Sequence, residues 1–271
     1  MTKARVNSSP IGVFDSGIGG LTVVKEILRE LPSESLIYLG DTARVPYGTK
    51  SSKTVITYSQ SNTAFLVSKG IKLLVVACNT ASAVALPSLR WDFEIPILGV
   101  IEPGARKAVR TTKTGKVGVI GTPSTIKSNA YKKAMENIAP EIQVYSKACP
   151  LFVPLAEEGW TDDEIAELAA KKYLETFKES EIDVLILGCT HYPLLKPMIQ
   201  KVVGENIMLI DSAEETALEI KRVLEENAVS NKNSSHPQRE FYLTDVSETF
   251  ISIAGRFLGE EIEKVEQIDL W

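Results

Sequence analysis

Short, largely apolar runs recur along the chain, and longer segments with helical periodicity separate most of them. Ile11–Phe14, Leu36–Leu39, Leu73–Ala77, Ile97–Val100, Val117–Ile120, Gln143–Tyr145, Val184–Leu187 and Ile207–Ile210 are candidate strands, with Phe241–Thr244 as a last one. A strand with one face in water alternates apolar and polar residues. Most of these runs do not alternate, so they must be covered on both faces, as in a parallel sheet. Helical patterns at Leu21–Leu31, Thr54–Lys69, Asp162–Lys178 and Glu214–Glu226 supply the cover. Alternating strand and helix predict an α/β fold.

The chain also echoes itself. Ile11-Gly12-Val13-Phe14-Asp15-Ser16 is matched by Val117-Gly118-Val119-Ile120-Gly121-Thr122, 106 residues on. Leu74-Val75-Val76-Ala77-Cys78-Asn79 is matched by Leu185-Ile186-Leu187-Gly188-Cys189-Thr190, with the cysteines 111 positions apart. The first match is weak evidence, because such strands are common in α/β proteins. The second carries the inference, because cysteine is rare here. Two units of like topology follow: 1–98 plus 207–271 form the first domain and 99–206 an inserted second. The polar segment 228–238 is expected to be a loop, and Glu248–Leu258 a final helix that returns to the first unit.

Charge and cysteine count narrow the function. A formal net charge of -5 argues against a nucleic-acid partner and gives an acidic substrate no long-range attraction, so local dipoles must hold any anion. The opening MTKARVNSSP leads into no apolar signal core, and Asn79, Thr80 and Ser82 interrupt the longest apolar stretch. No membrane association is expected, and the location is read as cytoplasmic. Three cysteines in such a chain point to reactive or buried thiols rather than a disulfide framework.

Cys78 and Cys189 each stand where an apolar run ends and a helix is expected to begin. Helix starts offer free N–H groups and partial positive charge, which favour a thiolate and can also hold a carboxylate. Facing each other across a cleft, two such thiols could remove a proton from one side of an α-carbon and return one to the other. A buried, inert cysteine is the ordinary alternative, and it is the role assigned to Cys149, which precedes Pro150 with no such helix start. His191, two residues after Cys189, is open to two roles: drawing a proton from an amine or assisting the thiol, or simply bonding the start of a helix. His236 lies in the polar loop and is read as solvated. Asp15 and Ser16, before Gly17-Ile18-Gly19-Gly20, can bind an ammonium group, serve as base to a thiol or cap a helix. The spacing of these glycines fits neither a dinucleotide fingerprint nor a P-loop. Pro46-Tyr47-Gly48 reads in isolation as a turn. Thr122, Thr190 and Asn79 carry groups that can bind a carboxylate, and Glu157 and Glu158 sit where an acid can face a cleft or solvent. A zinc site is disfavoured by the one-residue gap between Cys189 and His191 and by the lack of a C-x2-C spacing.

Taken together, IGVFDSGIGGLTV, GDTARVPYG, VVACNTAS, CPLFVPLAEEGW and LILGCTHYPLL, in this order, resemble the glutamate racemase family within the aspartate/glutamate racemase superfamily. The resemblance implies two α/β domains with parallel-type central sheets related by a pseudo-twofold axis, and an active site in the cleft between them. It implies Cys78 and Cys189 as the acid/base pair. The thiolate of the first domain serves the D-enantiomer and that of the second the L-enantiomer. Asp15, Glu157 and His191 match residues that assist proton transfer, and Asp41 matches a further acid. Substrate contacts fall on Asp15, Ser16, Tyr47, Gly48, Asn79, Thr80, Thr122, Thr190 and His191. No cofactor or metal is implied, the partner is the small molecule glutamate, a homodimer is the suggested association, and the product is D-glutamate for peptidoglycan. Aspartate racemisation is the alternative within the class, and a thiol redox or metal-binding protein the alternative outside it.

Overall fold

The computed structural model describes residues 7–231, 236–262 and 264–270. From the amino end, β1 (Ile11–Asp15), α1 (Leu21–Glu30), β2 (Leu36–Gly40), α2 (Ser52–Ser68), β3 (Leu73–Val76), α3 (Asn79–Val84), α4 (Leu86–Asp92) and β4 (Ile97–Gly99) build the first unit. The second contains α5 (Ile101–Thr111), β5 (Lys116–Gly121), α6 (Pro123–Ser128), α7 (Ala130–Glu136), β6 (Gln143–Ala148), α8 (Phe152–Glu158), α9 (Glu164–Leu174), β7 (Val184–Gly188), α10 (Lys196–Val203) and β8 (Met208–Asp211). The chain closes with α11 (Ser212–Glu226), β9 (Arg239–Leu243), α12 (Glu248–Leu258) and β10 (Glu266–Gln267).

Every strand pairing is parallel. The first sheet runs β10-β9-β2-β1-β3-β4 and the second β6-β5-β7-β8. The inner order β2-β1-β3-β4 is therefore reproduced as β6-β5-β7-β8, which is the structural form of the sequence echo. In both sheets the order turns about the first strand and its neighbours, and ligands bind outside the carboxyl ends of strands at such a point.

Strand pairing corrects two expectations. Met208–Asp211 pairs with β7, from Val184↔Met208 to Leu187↔Asp211, and so belongs to the second sheet. The expected boundary at 206/207 comes one strand too early, because the exposed edge of β7 takes up the next apolar run before the chain returns to the first sheet at β9. The cut after residue 98 likewise removes Gly99 from β4. The edge strand β10 was not anticipated. It has two exposed residues with no apolar pattern to mark them.

Side chains alternate across each sheet, and the core divides accordingly. Ile11, Val13, Leu73 and Val75 of the first sheet share one apolar cluster with Ile120, Leu185 and Leu187 of the second. Phe14, Leu74 and Val76 point to a separate outer cluster, as do Val117, Val119, Val184 and Ile186 on the other side. The inner faces of both sheets thus feed one continuous core, completed by Leu21, Val23, Val24 and Ile27 of α1 and Ala213, Ala217, Ile220 and Leu224 of α11. Spacings of three and four residues place these on one stripe of each helix.

At the amino end of the first sheet, far along the strands from their carboxyl ends, Lys72 is almost fully buried against Glu34 (Nζ–Oε2 2.6 Å). It also donates to the carbonyls of Asn7 and Val229, and Glu34 accepts from the Asn231 N–H. The pair thereby fastens two distant segments to the sheet. Removing one member of a buried ion pair strands the other. Glu34→Ala should therefore lower the unfolding free energy by about 3–5 kcal/mol, while the double variant Glu34→Leu/Lys72→Met recovers most of the loss. Urea unfolding measures both, and an unaltered Glu34→Ala midpoint would contradict this assignment.

Candidate active site

Six loops, three from each unit, enclose a cavity of about 320 Å³. Ser16 follows β1, Val45–Thr49 follow β2 and Cys78–Thr80 follow β3; opposite them, Thr122 and Pro123 follow β5, Pro150, Val153, Pro154 and Glu157 follow β6, and Cys189–His191 follow β7. Equivalent strands contribute equivalent loops. Cys78 and Cys189 occupy matching places, as do Ser16 and Thr122. Every residue singled out from the sequence as catalytic or substrate-binding lines this cavity except Asp15, which lies behind it, fully buried. Glu158 is exposed and takes no part in the lining.

The units meet here more closely than side chains would permit. A Cβ on Gly19 would overlap Thr190 Oγ1 and the His191 ring, and one on Gly48 would come within 2.9 Å of Thr122 Cβ. Thr22 Oγ1 donates to the Thr190 carbonyl at 3.0 Å, and the Thr80 and Thr122 hydroxyls lie 3.0 Å apart.

The two sulfurs differ in surroundings. Cys78 is the N-cap of α3, as expected. Burial pushes its thiol up to about 12; the Asp15 carboxylate and, less strongly, Cys189 add to this, while the Ala81 N–H and the Ser16 hydroxyl 3.5 Å away oppose it. Asp15 is itself raised by burial, against the pull of the His191 charge and the N–H groups of Gly20, Gly17 and Ser16. Cys189 departs from the expectation of an immediate helix start. A 3-10 turn begins only at Tyr192, and α10 follows at Lys196, because Pro193 and Pro197 limit where regular helical bonding begins. What the helix does for Cys78, a histidine does for Cys189. His191 Nδ1 lies 3.9 Å from Cys189 Sγ, and Nε2 lies 3.0 Å from Glu157 Oε1. Burial disfavours the imidazolium, but these two hydrogen bonds outweigh it and raise His191 to about 10.

Supporting residues hold the rim. Asp41, fully buried, accepts from Arg44 Nε at 2.8 Å, from Thr244 Oγ1 at 3.0 Å and from the Tyr47 hydroxyl, so it fixes the Tyr47-Gly48 loop from behind. Asn79 Nδ2 donates to Tyr131 Oη at 2.8 Å, which in turn lies 2.8 Å from Ser212 Oγ. Thr125 completes a hydroxyl cluster with Thr80 and Thr122. Cys149 is buried in the shared core, as assigned, and His236 is exposed. Thr22, Arg44, Thr125, Tyr131 and Ser212 were not foreseen. Thr22 and Arg44 lie inside the IGVFDSGIGGLTV and GDTARVPYG motifs, and Thr125 stands one helical turn after Thr122. Among the described residues no three His, Cys, Asp or Glu side chains are grouped to hold a metal ion, and all three cysteines are free thiols.

Residues 11–220 match the family model described as Asp/Glu/Hydantoin racemase. The chain belongs to that family. It is accordingly an amino-acid racemase, an isomerase. A glutamate racemase of Geobacter metallireducens is 55% identical over 260 residues, covering 96% of either chain. Among solved structures, a glutamate racemase of Bacillus anthracis superposes with a TM-score of 0.93 at 45% identity, covering 97% of this chain and 98% of that one. One from Francisella tularensis, in complex with D-glutamate, superposes with a TM-score of 0.92 at 42% identity over the same shares. The racemase fold of two parallel sheets is thus shared throughout. Among the described residues no helix is long and apolar enough to cross a membrane.

The His191 assignment predicts a stability signature. Its value is about 6.5 in the unfolded chain and about 10 in the folded protein. Because the folded value is the higher, the stabilisation is complete below pH 6.5 and is lost as pH rises through about 10. The unfolding free energy of the wild type minus that of His191→Asn should fall across that window in urea titrations. A difference that stays level would contradict the charged pairing.

Proposed function

We propose that this racemase interconverts L- and D-glutamate with Cys78 and Cys189 as its two acid/base groups and no cofactor. The observation that carries the proposal is that Cys78 and Cys189, at the ends of strands in the two different sheets, line one cavity. A substrate α-carbon between them is reached from both faces, as inversion requires. In the L-to-D direction Cys189, as thiolate, takes the α-proton, and Cys78, as thiol, delivers another to the opposite face. Each turnover leaves the pair in the reverse protonation state, which serves the D-enantiomer. The two thiols differ in surroundings: burial and Asp15 hold the proton on Cys78, while His191 stands beside Cys189.

The negative charge that develops on the substrate needs nearby dipoles. The start of α3 and the hydroxyls of Ser16, Thr80, Thr122 and Thr190 supply them within the lining. Asp15 behind Cys78 and the His191–Glu157 pair beside Cys189 assist each thiol in turn. Glutamate is favoured over aspartate by the full-length likeness to glutamate racemases. On this reading the enzyme is cytoplasmic and supplies D-glutamate for peptidoglycan.

Cys78→Ala and Cys189→Ala should each reduce glutamate racemisation by about 10²–10⁴-fold or more, the usual worth of a positioned acid or base. Circular dichroism at a fixed enzyme concentration reads this directly, and full activity in either variant would overturn the two-thiol mechanism. Separate incubation with L-glutamate and L-aspartate, followed by chiral separation, tests the substrate. Faster turnover of aspartate would overturn that part alone.

A further inference from the structure

We propose that Phe257 is a positioning residue for catalysis: the last turn of α12 clamps the His191 imidazole edge-to-face and keeps its two nitrogens on Cys189 and Glu157. This rests on the two-thiol reading of the site. The rings of His191 and Phe257 are 5.2 Å apart at 78°, within the range of favourable edge-to-face pairs. Phe257 is buried and is not part of the cavity lining, so it can reach substrate only through His191. Its neighbour Arg256 packs on Gly159, where a Cβ would overlap the guanidinium. Gly159 ends α8 in the left-handed conformation (φ +78), two residues after Glu157. One helical turn therefore meets His191 directly and, through Arg256, the residue that ends the Glu157 helix.

The pair needs such a clamp. The Cys189–His191 contact is long at 3.9 Å, and the Glu157 side chain is 36% exposed, so neither bond alone fixes the plane of the ring. Phe257 is held from behind. With Phe250, Ala254 and Leu258 it forms the buried stripe of α12, set in the same core as Val23, Val24 and Ile27 of α1. The titratable and charged groups around the imidazole are Cys189 at the end of β7, Glu157 on α8 and Asp15 at the end of β1, with Arg256 on α12 placed over Gly159. Loss of the Phe257 ring changes none of these charges. It frees the imidazole to turn away from two of them.

Two histidines in the whole chain make the test direct. In protein labelled with ¹⁵N-histidine, His236→Gln leaves the His191 ring as the single histidine signal. Phe257→Leu and the volume-conserving Phe257→Met should move its titration midpoint down from about 10 toward the ordinary 6.5. The kcat for glutamate should fall by about 10–100-fold, the cost of a small misplacement of a catalytic group, with KM little changed. Because the two enantiomers are equal in energy, kcat/KM should fall equally in both directions. Phe250→Leu, on the same buried stripe but away from His191, should cost stability and leave the His191 midpoint and kcat unchanged. An unmoved midpoint and kcat in Phe257→Met would overturn the proposal. So would an equal shift in Phe250→Leu, which would make the effect one of general packing. The NMR midpoint does not depend on turnover, so failure of the two-thiol mechanism itself would show separately, as activity surviving in Cys189→Ala.

Discussion

Everything at the site depends on how closely two strand-end loops can be brought together. Gly19 lies against Thr190 and His191, and Gly48 against Thr122, with no room for a Cβ at either place. These contacts set the carboxyl ends of two parallel sheets face to face and leave a cavity of about 320 Å³ between them. A glycine there is a distance constraint that fixes the width of the gap. The continuous inner core, fed by both sheets, keeps that gap from being set by a loose hinge.

Within this near-symmetric frame the chemistry is asymmetric. Cys78 has a short helix at its back and a buried carboxylate beside it, and its proton is held firmly. Cys189 lacks an immediate helix and has instead a cation, His191, shared with Glu157. A helix start and an imidazolium are two physical solutions to one problem, the accommodation of sulfur charge out of water. The two thiols thus occupy matching places in unlike electrostatic surroundings.

Much of the fold was legible because strands covered on both faces leave uninterrupted apolar runs. All nine expected strands occur, with ends shifted by a few residues, and the repeated order of the two sheets is the counterpart of the repeated strand-cysteine motif. The boundary at 206/207 failed because an apolar run does not state which sheet edge it will join; only pairing with β7 decides that. Strand β10 escaped because two exposed polar residues carry no pattern. At the site, the cavity gathers residues whose motifs flank strand ends, since strand ends are where the sequence marks function. Tyr131 and Phe257 left no such mark. Each reaches the site from a helix belonging to another part of the chain, and its partner is fixed by packing alone.

The central claim is that separate groups remove and return the α-proton. Following L-glutamate in deuterated water by ¹H NMR and mass spectrometry tests it most directly. Two thiols on opposite faces predict that the first D-glutamate formed carries deuterium at Cα, while the remaining L-glutamate keeps its proton at early times. D-glutamate that retains the original proton, or early deuterium in the L-pool at the same rate as in the product, would mean that one group serves both faces, and would contradict the account.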